Sequence, residues 1–450
     1  MNSSIFKAYD IRGIYPSELD EETAYYLAHA YALKFRPKTV VIGRDVRLSG
    51  LSLVGALKKG FMEAGVDMVD IGVITTDMLY FAVAHYGYDG GITVSASHNP
   101  KEYNGFKLVK KGSEAISSDS GLFQLKEFVL AKQKKISNQL GKLEEKNIVL
   151  DYVQFILSFV DPGKIDKKKV VANSNFGFAS HVVDGLAKYI PLELTRINWE
   201  LDGNFPKGRP DPLIPGSRVE IMETVKKEKT DFGVAWDADA DRCFFFDEKG
   251  NFIDGYFITA LLAEYFLKRH PGEKIIGDPR LVWATHDVVI NNGGMHIINK
   301  VGHTFIKERM RAENAIFAGE MSGHYYFRDY FYADNGMIPF LIILQMLSET
   351  GKIMSKLLEP FTSKYFVSGE INFEIKNKEA LLREAEKKYQ DSSIEHVDGL
   401  SVEYADWRFN FRSSNTENLV RLNLEARSLE ILQQKTDELT QFIREFTHIT

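Results

Sequence analysis

Hydrophobic positions along most of the chain fall into short β-branched runs, each closed by glycine or polar residues and followed by a helical stretch. The runs include Thr39-Val40-Val41-Ile42 before Gly43-Arg44-Asp45 and Gly91-Ile92-Thr93-Val94 before Ser95-Ala96-Ser97-His98. Val170-Val171-Ala172 precedes Asn173-Ser174-Asn175, and Phe232 to Trp236 precedes Asp237. Ile275-Ile276 before Gly277-Asp278 and Ala315 to Ala318 before Gly319-Glu320 repeat the pattern further on. Strands alternating with helices predict α/β layers with mostly parallel sheets. The polar loops then lie beyond the carboxyl ends of the strands, where such sheets bind ligands. The last region differs. Val402 to Phe411 partly alternates, Leu422, Leu424 and Ala426 alternate with polar partners, and a closing helix repeats at Leu432, Leu439, Phe442, Ile443 and Phe446. That period, near 3.6, predicts a small α+β domain.

The connections are also patterned. Ala131 to Asn147 is rich in Lys, Glu, Gln and Ser and predicts a linker. Asp247-Glu248-Lys249-Gly250 predicts a hairpin turn, after which Asp254 caps a helix. Gly351 to Tyr365 predicts a short helix ended by Pro360, with a strand beginning at Glu370-Ile371-Asn372-Phe373. The greasiest run, Met337 to Leu347, is interrupted by Pro339 and Gln345. It is far shorter than the ~20 residues that span a bilayer, and predicts a buried helix.

Composition narrows the class. At about 150 residues per domain, 450 residues suggest three domains. A hydrophobic fraction of 44% with 26% charged residues excludes a disordered chain. The balance of 56 basic and 62 acidic residues, net −6, gives no reason to expect nucleic acid or a membrane as partner. The single cysteine, Cys243, excludes a disulfide scaffold and points to a reducing cytoplasm. The N-terminal MNSSIFKAYD lacks the apolar core of a signal peptide.

Four loops carry candidate chemistry. Asp237-Ala238-Asp239-Ala240-Asp241-Arg242 places three carboxylates at alternate positions after a strand. Hard divalent cations take oxygen ligands of this kind. The spacing also matches the start of a calcium EF-hand with Glu248 at its twelfth position. Arg242 stands where that loop needs glycine, however, and the flanks read as strands. A solvated acidic turn is the plain alternative. Thr93 to Pro100 holds Ser97 among small residues beside His98; a serine hydroxyl becomes nucleophilic only when activated, and turns alone favour such residues. Gly319-Glu320-Met321-Ser322-Gly323-His324 offers a carboxylate and a hydroxyl suited to sugar hydroxyls, or a capped helix start. Arg412-Ser413-Ser414-Asn415-Thr416-Glu417 with Arg421 suits a phosphate, or is a polar hairpin turn. Arg12, in Tyr9-Asp10-Ile11-Arg12-Gly13, and Lys107, ten residues beyond Ser97, support the set. Lysine serves as acid or base when its pKa is depressed.

In this order the motifs resemble the α-D-phosphohexomutase superfamily, and more narrowly its phosphomannomutase/phosphoglucomutase group, from Tyr9 to Arg421. The resemblance implies that Ser97 carries a transferable phosphate. Asp237, Asp239 and Asp241 would hold one Mg²⁺, with a phosphoryl oxygen on Ser97 as a further ligand, and Arg242 would contact the phosphoserine or the substrate. Glu320 and Ser322 would bind the sugar 3- and 4-hydroxyls. Arg412, Ser414, Asn415, Thr416 and Arg421 would bind the non-reacting phosphate. Arg12, Lys107 and His324 would take acid–base roles, and Tyr9, Arg280 and His303 would add pocket contacts. The chain departs from the group at Ala238 and Ala240, usually glycines, and at Asn418, frequently proline. Met321 resembles this group more than the glucosamine mutases, usually Gln there.

The motif order raises the domain number to four. These are a phosphoserine domain (1–147), a metal domain (148–250), a sugar domain (251–364) and a C-terminal phosphate domain (365–450). The expected architecture is three mixed α/β layered domains of similar fold plus a C-terminal α+β domain, around one central cleft. The implied reaction moves phosphate reversibly between C1 and C6 of mannose or glucose phosphates. It passes through a phosphoserine and a hexose 1,6-bisphosphate, which also serves as activator. A phosphoglucosamine mutase is the alternative with the same chemistry. A metal-dependent phosphatase using an aspartate of the 237–241 loop and a calcium-binding module are rivals of other classes. The expected partner is a small phosphosugar, and the expected state a cytoplasmic monomer or weak homodimer.

Overall fold

Five residues, Gly90–Val94, form a strand buried on both faces, the mark of a sheet covered by helices on both sides. A computed structural model describes residues 2–413 and 418–449. In its first sheet, Thr39–Arg44 runs parallel to Gly90–Val94 and to Asp67–Val73. On the other flank Tyr103–Lys110 runs antiparallel to Gly90–Val94 and in turn pairs antiparallel with Ile11–Ile14. The Ser97 loop is therefore the connection between a parallel strand and its antiparallel neighbour. Gly105 allows the close approach there, since a Cβ on it would meet the Ile11 carbonyl oxygen at 2.4 Å and that of Ser95 at 2.8 Å.

The second sheet repeats this device. Lys168–Asn173 lies parallel to Leu192–Ile197 and to Phe232–Trp236, whereas Cys243–Phe246 returns antiparallel to Phe232–Trp236. Trp236 pairs with Cys243, so the acidic run 237–242 is the tip of a hairpin. The sheets are thus mixed: an antiparallel return stands beside the parallel core that the sequence pattern predicts.

Packing divides the chain into two compact units. One holds Met1–Ile253, His303–Arg311 and His324–Met354; the other holds Asp254–Gly302, Ala312–Gly323 and Ser355–Thr450. In the second unit Lys274–Gly277 lies parallel to Met295–Ile298 and to Phe317–Gly319. The C-terminal sheet is antiparallel, with Leu419–Ala426 between Trp407–Ser413 and Ile371–Glu374. Helices Lys378–Lys388 and Leu429–Ile449 contribute Leu381, Ala385, Leu439 and Ile443 to its core, against Phe409, Phe411, Leu422 and Leu424.

Three local expectations change. Leu143–Glu145, inside the expected linker, is an edge strand parallel to Asp67–Val73. Its side chains are exposed, so main-chain pairing forms it without an apolar signal. The strand expected from Ala315 begins at Phe317. The helix Met354–Thr362 continues past Pro360 instead of stopping there. Buried Met354, Leu357, Leu358 and Phe361 hold it through the one lost backbone bond. Met337–Thr350 is the buried helix expected. Among the described residues no single helix is long and apolar enough to cross a membrane.

Within the second unit one buried carboxylate joins the C-terminal sheet to a helix start. Glu425 accepts from the backbone N–H groups of Val282 (2.6 Å) and Trp283 (3.2 Å), from Arg408 Nη1 (2.9 Å) and from the Tyr256 hydroxyl. Glu425→Ala removes the buried acceptor of Arg408 Nη1 and of two backbone N–H groups, leaving the guanidinium only the half-exposed Glu403, 3.2 Å from Nε. We expect a loss of about 3–5 kcal/mol, read as an earlier urea transition of this unit.

Candidate active site

Ser97 sits where its strand ends, with backbone φ +49°, a left-handed conformation that disfavours L-residues by about 1–2 kcal/mol. Its Oγ is buried and lies 2.8 Å from Asp237 Oδ2, 3.1 Å from His98 Nδ1 and 3.3 Å from Arg242 Nη2. The serine loop of the first sheet and the acidic hairpin of the second thus meet at one point in the first unit. His98 is driven well below the usual histidine range, by burial first and then by the charges of Arg242 and Arg12, so its imidazole is neutral.

The acidic hairpin is buried throughout: Asp237, Asp239 and Asp241 are at most 1% exposed. Two cations answer three carboxylates. Arg242 donates to Asp237 Oδ2 through Nε (3.1 Å) and Nη2 (2.8 Å). Lys107 Nζ donates to Asp239 Oδ2 (2.6 Å) and to Asp241 Oδ2. Asp239 Oδ2 also accepts from Thr76 Oγ1 (2.6 Å) and Ser95 Oγ (3.0 Å). Burial alone would raise the Asp239 carboxyl; Lys107 and Thr76 outweigh it and hold it well below the usual range. Asp237 is pushed up to about 7, chiefly by burial, with Arg242 pulling down and Asp239 and Asp241 pushing up. Lys107 moves opposite to the depression that a base would need. Burial would lower it, but Asp239 and Asp241 raise it above the ordinary lysine value.

These bonds do not use every carboxylate oxygen. Asp239 Oδ1 and Asp241 Oδ1 are buried with no hydrogen-bond partner. One oxygen from each of Asp237, Asp239 and Asp241 lies within 4.8 Å of the others. Buried carboxylate oxygens without donors fit a hard divalent cation. Of the two alanines, Ala240 has φ +53°, the conformation a glycine takes without strain. Gly336 sits against its carbonyl, where a Cβ would meet the oxygen at 2.3 Å.

Other expected residues of the first unit gather nearby. Arg12 donates to Asn99 Oδ1 of the serine loop and to Asp10 Oδ2, both at 2.6 Å. His324 Nδ1 lies 3.2 Å from Asp334 Oδ2 and 3.9 Å from Asp241 Oδ1. Its ring stacks on that of His303 at 6.3 Å, and Tyr9 meets His303 edge-on at 5.4 Å. Sequence reasoning missed Asp334 and Lys307, which pair at 2.6 Å beside this stack. It also missed Thr76, and gave no role to Ser95 although it lies in the Thr93–Pro100 loop; no local motif marks Asp334, Lys307 or Thr76.

In the second unit Arg280 is held bidentately by Asp278, through Nε at 3.0 Å and Nη2 at 2.8 Å. Its guanidinium lies 3.8 Å from Glu320 and 3.9 Å from Glu370. Asp278 also accepts from the Met321 N–H at 3.1 Å, which ties down the Glu320 loop. That loop is a turn into a strand, not a helix start. Ser322 stands half-buried in it. Arg412 and Arg421 are directly opposed across the C-terminal hairpin. Asp398 accepts from Arg412 Nε (2.9 Å), and Glu370 lies 3.7 Å from Arg421 Nε. Asp278, Glu370 and Asp398 were not singled out in the sequence; Asp278 stands in a strand-end loop of the kind that marks the others. Ser414, Asn415 and Thr416 lie outside the described residues.

Comparison with known proteins is consistent along the whole chain. The models for the α/β/α domains I, II and III and the C-terminal domain of phosphoglucomutase/phosphomannomutase match residues 3–133, 150–250, 254–365 and 370–441. A phosphomannomutase of Vibrio cholerae serotype O1 is 46% identical over 453 residues, covering 98% of each chain. One of Escherichia coli K12 is 43% identical over 450 residues, covering 98% of this chain and 99% of its own. A solved phosphoglucomutase/phosphomannomutase family protein of Burkholderia thailandensis matches with TM-score 0.89 and 33% identity. The match covers 99% of this chain and 98% of that one. The N-acetylphosphoglucosamine mutase of Aspergillus fumigatus, solved with GlcNAc-6P and magnesium, shares the fold at TM-score 0.61 and 13% identity. It covers 98% of this chain and 96% of that one.

Thr76 lets the cation site be tested apart from turnover. Thr76→Val keeps the side-chain shape and removes the donor to Asp239. Divalent-cation affinity, titrated calorimetrically with Mg²⁺, should weaken about 10-fold or more.

Proposed function

The chain belongs to the phosphoglucomutase/phosphomannomutase family, and from that premise we propose how its residues divide the work of a phosphohexose mutase. The activity is that of a phosphomannomutase/phosphoglucomutase. The proposed reaction moves phosphate reversibly between C1 and C6 of mannose phosphates, and of glucose phosphates, in the cytoplasm. The observation that carries the residue assignment is Ser97 Oγ, buried between Asp237 and Arg242 at the head of the acidic hairpin.

Ser97 is the phosphoryl carrier. In the first half-reaction the free hydroxyl of the bound sugar forms a bond to phosphorus as the Ser97 Oγ–P bond breaks, giving a hexose 1,6-bisphosphate. After the sugar turns over, Ser97 Oγ takes the other phosphoryl group and frees the product hydroxyl. Such transfers depend on positioning and on charge stabilisation at the phosphoryl oxygens. Arg242, already in reach of Oγ, meets those oxygens. Asp237, Asp239 and Asp241 would hold one Mg²⁺, which when bound supplies electrophilic stabilisation of the transferring group.

Proton transfer falls to Arg12, Lys107 and His324. Arg12 and Lys107 are cationic, which suits donation and charge compensation; His324, placed against Asp334, is the group of the three that can accept a proton. In the second unit Glu320 and Ser322 take the sugar hydroxyls. Arg412, Ser414, Asn415, Thr416 and Arg421 take the phosphate that is not reacting. Tyr9, His303 and Arg280 complete the contacts. Arg412 and Arg421 support this reading, since their directly opposed positions put two guanidinium groups on one face of the hairpin.

Ser97→Ala should lower kcat by about 1,000-fold or more with the fold intact. Persistent steady phosphate release by that variant would favour the phosphatase reading. Thorough chelation should abolish turnover, and added Mg²⁺ should restore it; full activity after chelation would contradict the cation assignment. Turnover of mannose, glucose and glucosamine 1-phosphates, each with a trace of bisphosphate, tests specificity. A preference for glucosamine 1-phosphate would replace the substrate assignment.

A further inference from the structure

Arg47 takes no part in the chemistry above, yet it is fully buried and every one of its five N–H groups is matched. Nε donates to Asp45 Oδ2 at 3.1 Å. Nη1 donates to the carbonyls of Pro100 (2.6 Å) and Tyr103 (3.0 Å). Nη2 donates to the carbonyls of Ser97 (2.8 Å) and Asn99 (2.7 Å). Four of its five acceptors are thus main-chain oxygens of one seven-residue stretch, the loop that carries Ser97.

The other ties of that loop are single bonds: Arg12 Nη1 to Asn99 Oδ1, Ser97 Oγ to Asp237 Oδ2 and the Tyr15 N–H to the Glu102 carbonyl. Within it the backbone bonds are Asn99 N–H to the Ala96 carbonyl and Tyr103 N–H to the Pro100 carbonyl, both about one turn in length. Ser97 N–H donates to Ser95 Oγ, and the His98 carbonyl accepts from Arg209 Nε. Ser97 is in addition left-handed, a conformation that persists only where the surroundings over-determine it. Fixing the Ser97 carbonyl fixes the peptide plane that sets the direction of its Cα–Cβ bond, and hence of Oγ. The guanidinium is itself aimed: Asp45 also accepts from the Arg47 backbone N–H at 2.9 Å, and the Phe205 ring lies 5.0 Å from its carbon. A planar fork with five fixed donors can satisfy four diverging carbonyls; an ammonium cannot.

We propose that Arg47 is a positioning residue for phosphoryl transfer, a clamp on four carbonyls of the 97–103 loop that holds Ser97 Oγ in line with the transferring phosphorus. The inference rests on Ser97 being the phosphoryl carrier. Arg47 touches neither substrate nor the reacting atoms, so it acts only through the loop.

The test uses the full-length enzyme with Arg47→Lys, which keeps the charge and loses the fork, and Arg47→Met, which loses both. Misplacing a nucleophile by about 1 Å costs about 100-fold in rate. We therefore expect kcat to fall about 100-fold in both variants while KM for the sugar phosphate stays within about threefold. The rate at which glucose 1,6-bisphosphate phosphorylates Ser97, followed by intact mass, should fall by the same factor as kcat. Deuterium exchange should rise over 95–105 and stay unchanged over 237–242. Wild-type kcat in Arg47→Lys would overturn the proposal, as would a loss of kcat without faster exchange in the serine loop. Failure of Arg47→Lys to fold would do the same, making Arg47 a general structural residue; failure of Arg47→Met alone leaves the decision to the lysine variant. The premise is read separately. An active Ser97→Ala enzyme, with no phosphate mass on wild-type protein, would remove the carrier role, while the exchange comparison would still report whether Arg47 holds the loop.

Discussion

Three carboxylates buried side by side are the constraint on which the first unit is built. Asp237, Asp239 and Asp241 cannot all be charged in a dry environment unless positive charge and donors surround them. Lys107 comes from the antiparallel strand next to the serine strand, Arg242 from the hairpin itself, Thr76 from the first turn of a helix and Ser95 from the serine loop. Lys107 donates to Oδ2 of Asp239 and of Asp241, Thr76 and Ser95 donate to Oδ2 of Asp239, and Oδ1 of both aspartates is left without a hydrogen-bond partner. The result is a buried acidic cluster whose oxygens suit a hard cation, with a serine hydroxyl at its edge. In both mixed sheets the converging cationic groups lie on or beside the antiparallel return: Lys107 on Tyr103–Lys110, and Arg242 just before Cys243–Phe246.

The second unit solves the opposite problem. The arginines proposed to meet the ligand are each braced by an acid: Arg280 by Asp278, Arg412 by Asp398, Arg421 by Glu370. The braces set the direction of long side chains that would otherwise sample many rotamers, and leave donors for a ligand. Asp278 does a second task by holding the Met321 N–H, so Arg280 and the Glu320 loop are positioned together.

The serine loop shows how strain is tolerated where chemistry needs it. Both Ser97 and Ala240 occupy left-handed backbone without being glycine. Each is enclosed by a neighbour that leaves no slack: Arg47 grips the carbonyls around Ser97, and Gly336 presses on the carbonyl of Ala240.

Local conformation was legible in the sequence because it depends on residues a few positions apart. The strand before each chemical loop, the hairpin at Asp247–Gly250, the Asp254 cap and the buried helix at Met337 all follow from spacing and side-chain type. So did the residue types at the site, since the carboxylates 237, 239 and 241 and the serine of the 93–100 loop announce their chemistry in order. The edge strand Leu143–Glu145 was not legible, because main-chain pairing with a distant strand carries no mark in exposed side chains. Nor were the partners. That Lys107 serves two aspartates some 130 residues away, that Asp334 joins His324, and that Arg47 closes on the Ser97 loop depend on which strands become neighbours. Tertiary structure alone decides that, because a charge or a carbonyl is satisfied by whatever the fold brings within about 3 Å, not by what is near it along the chain.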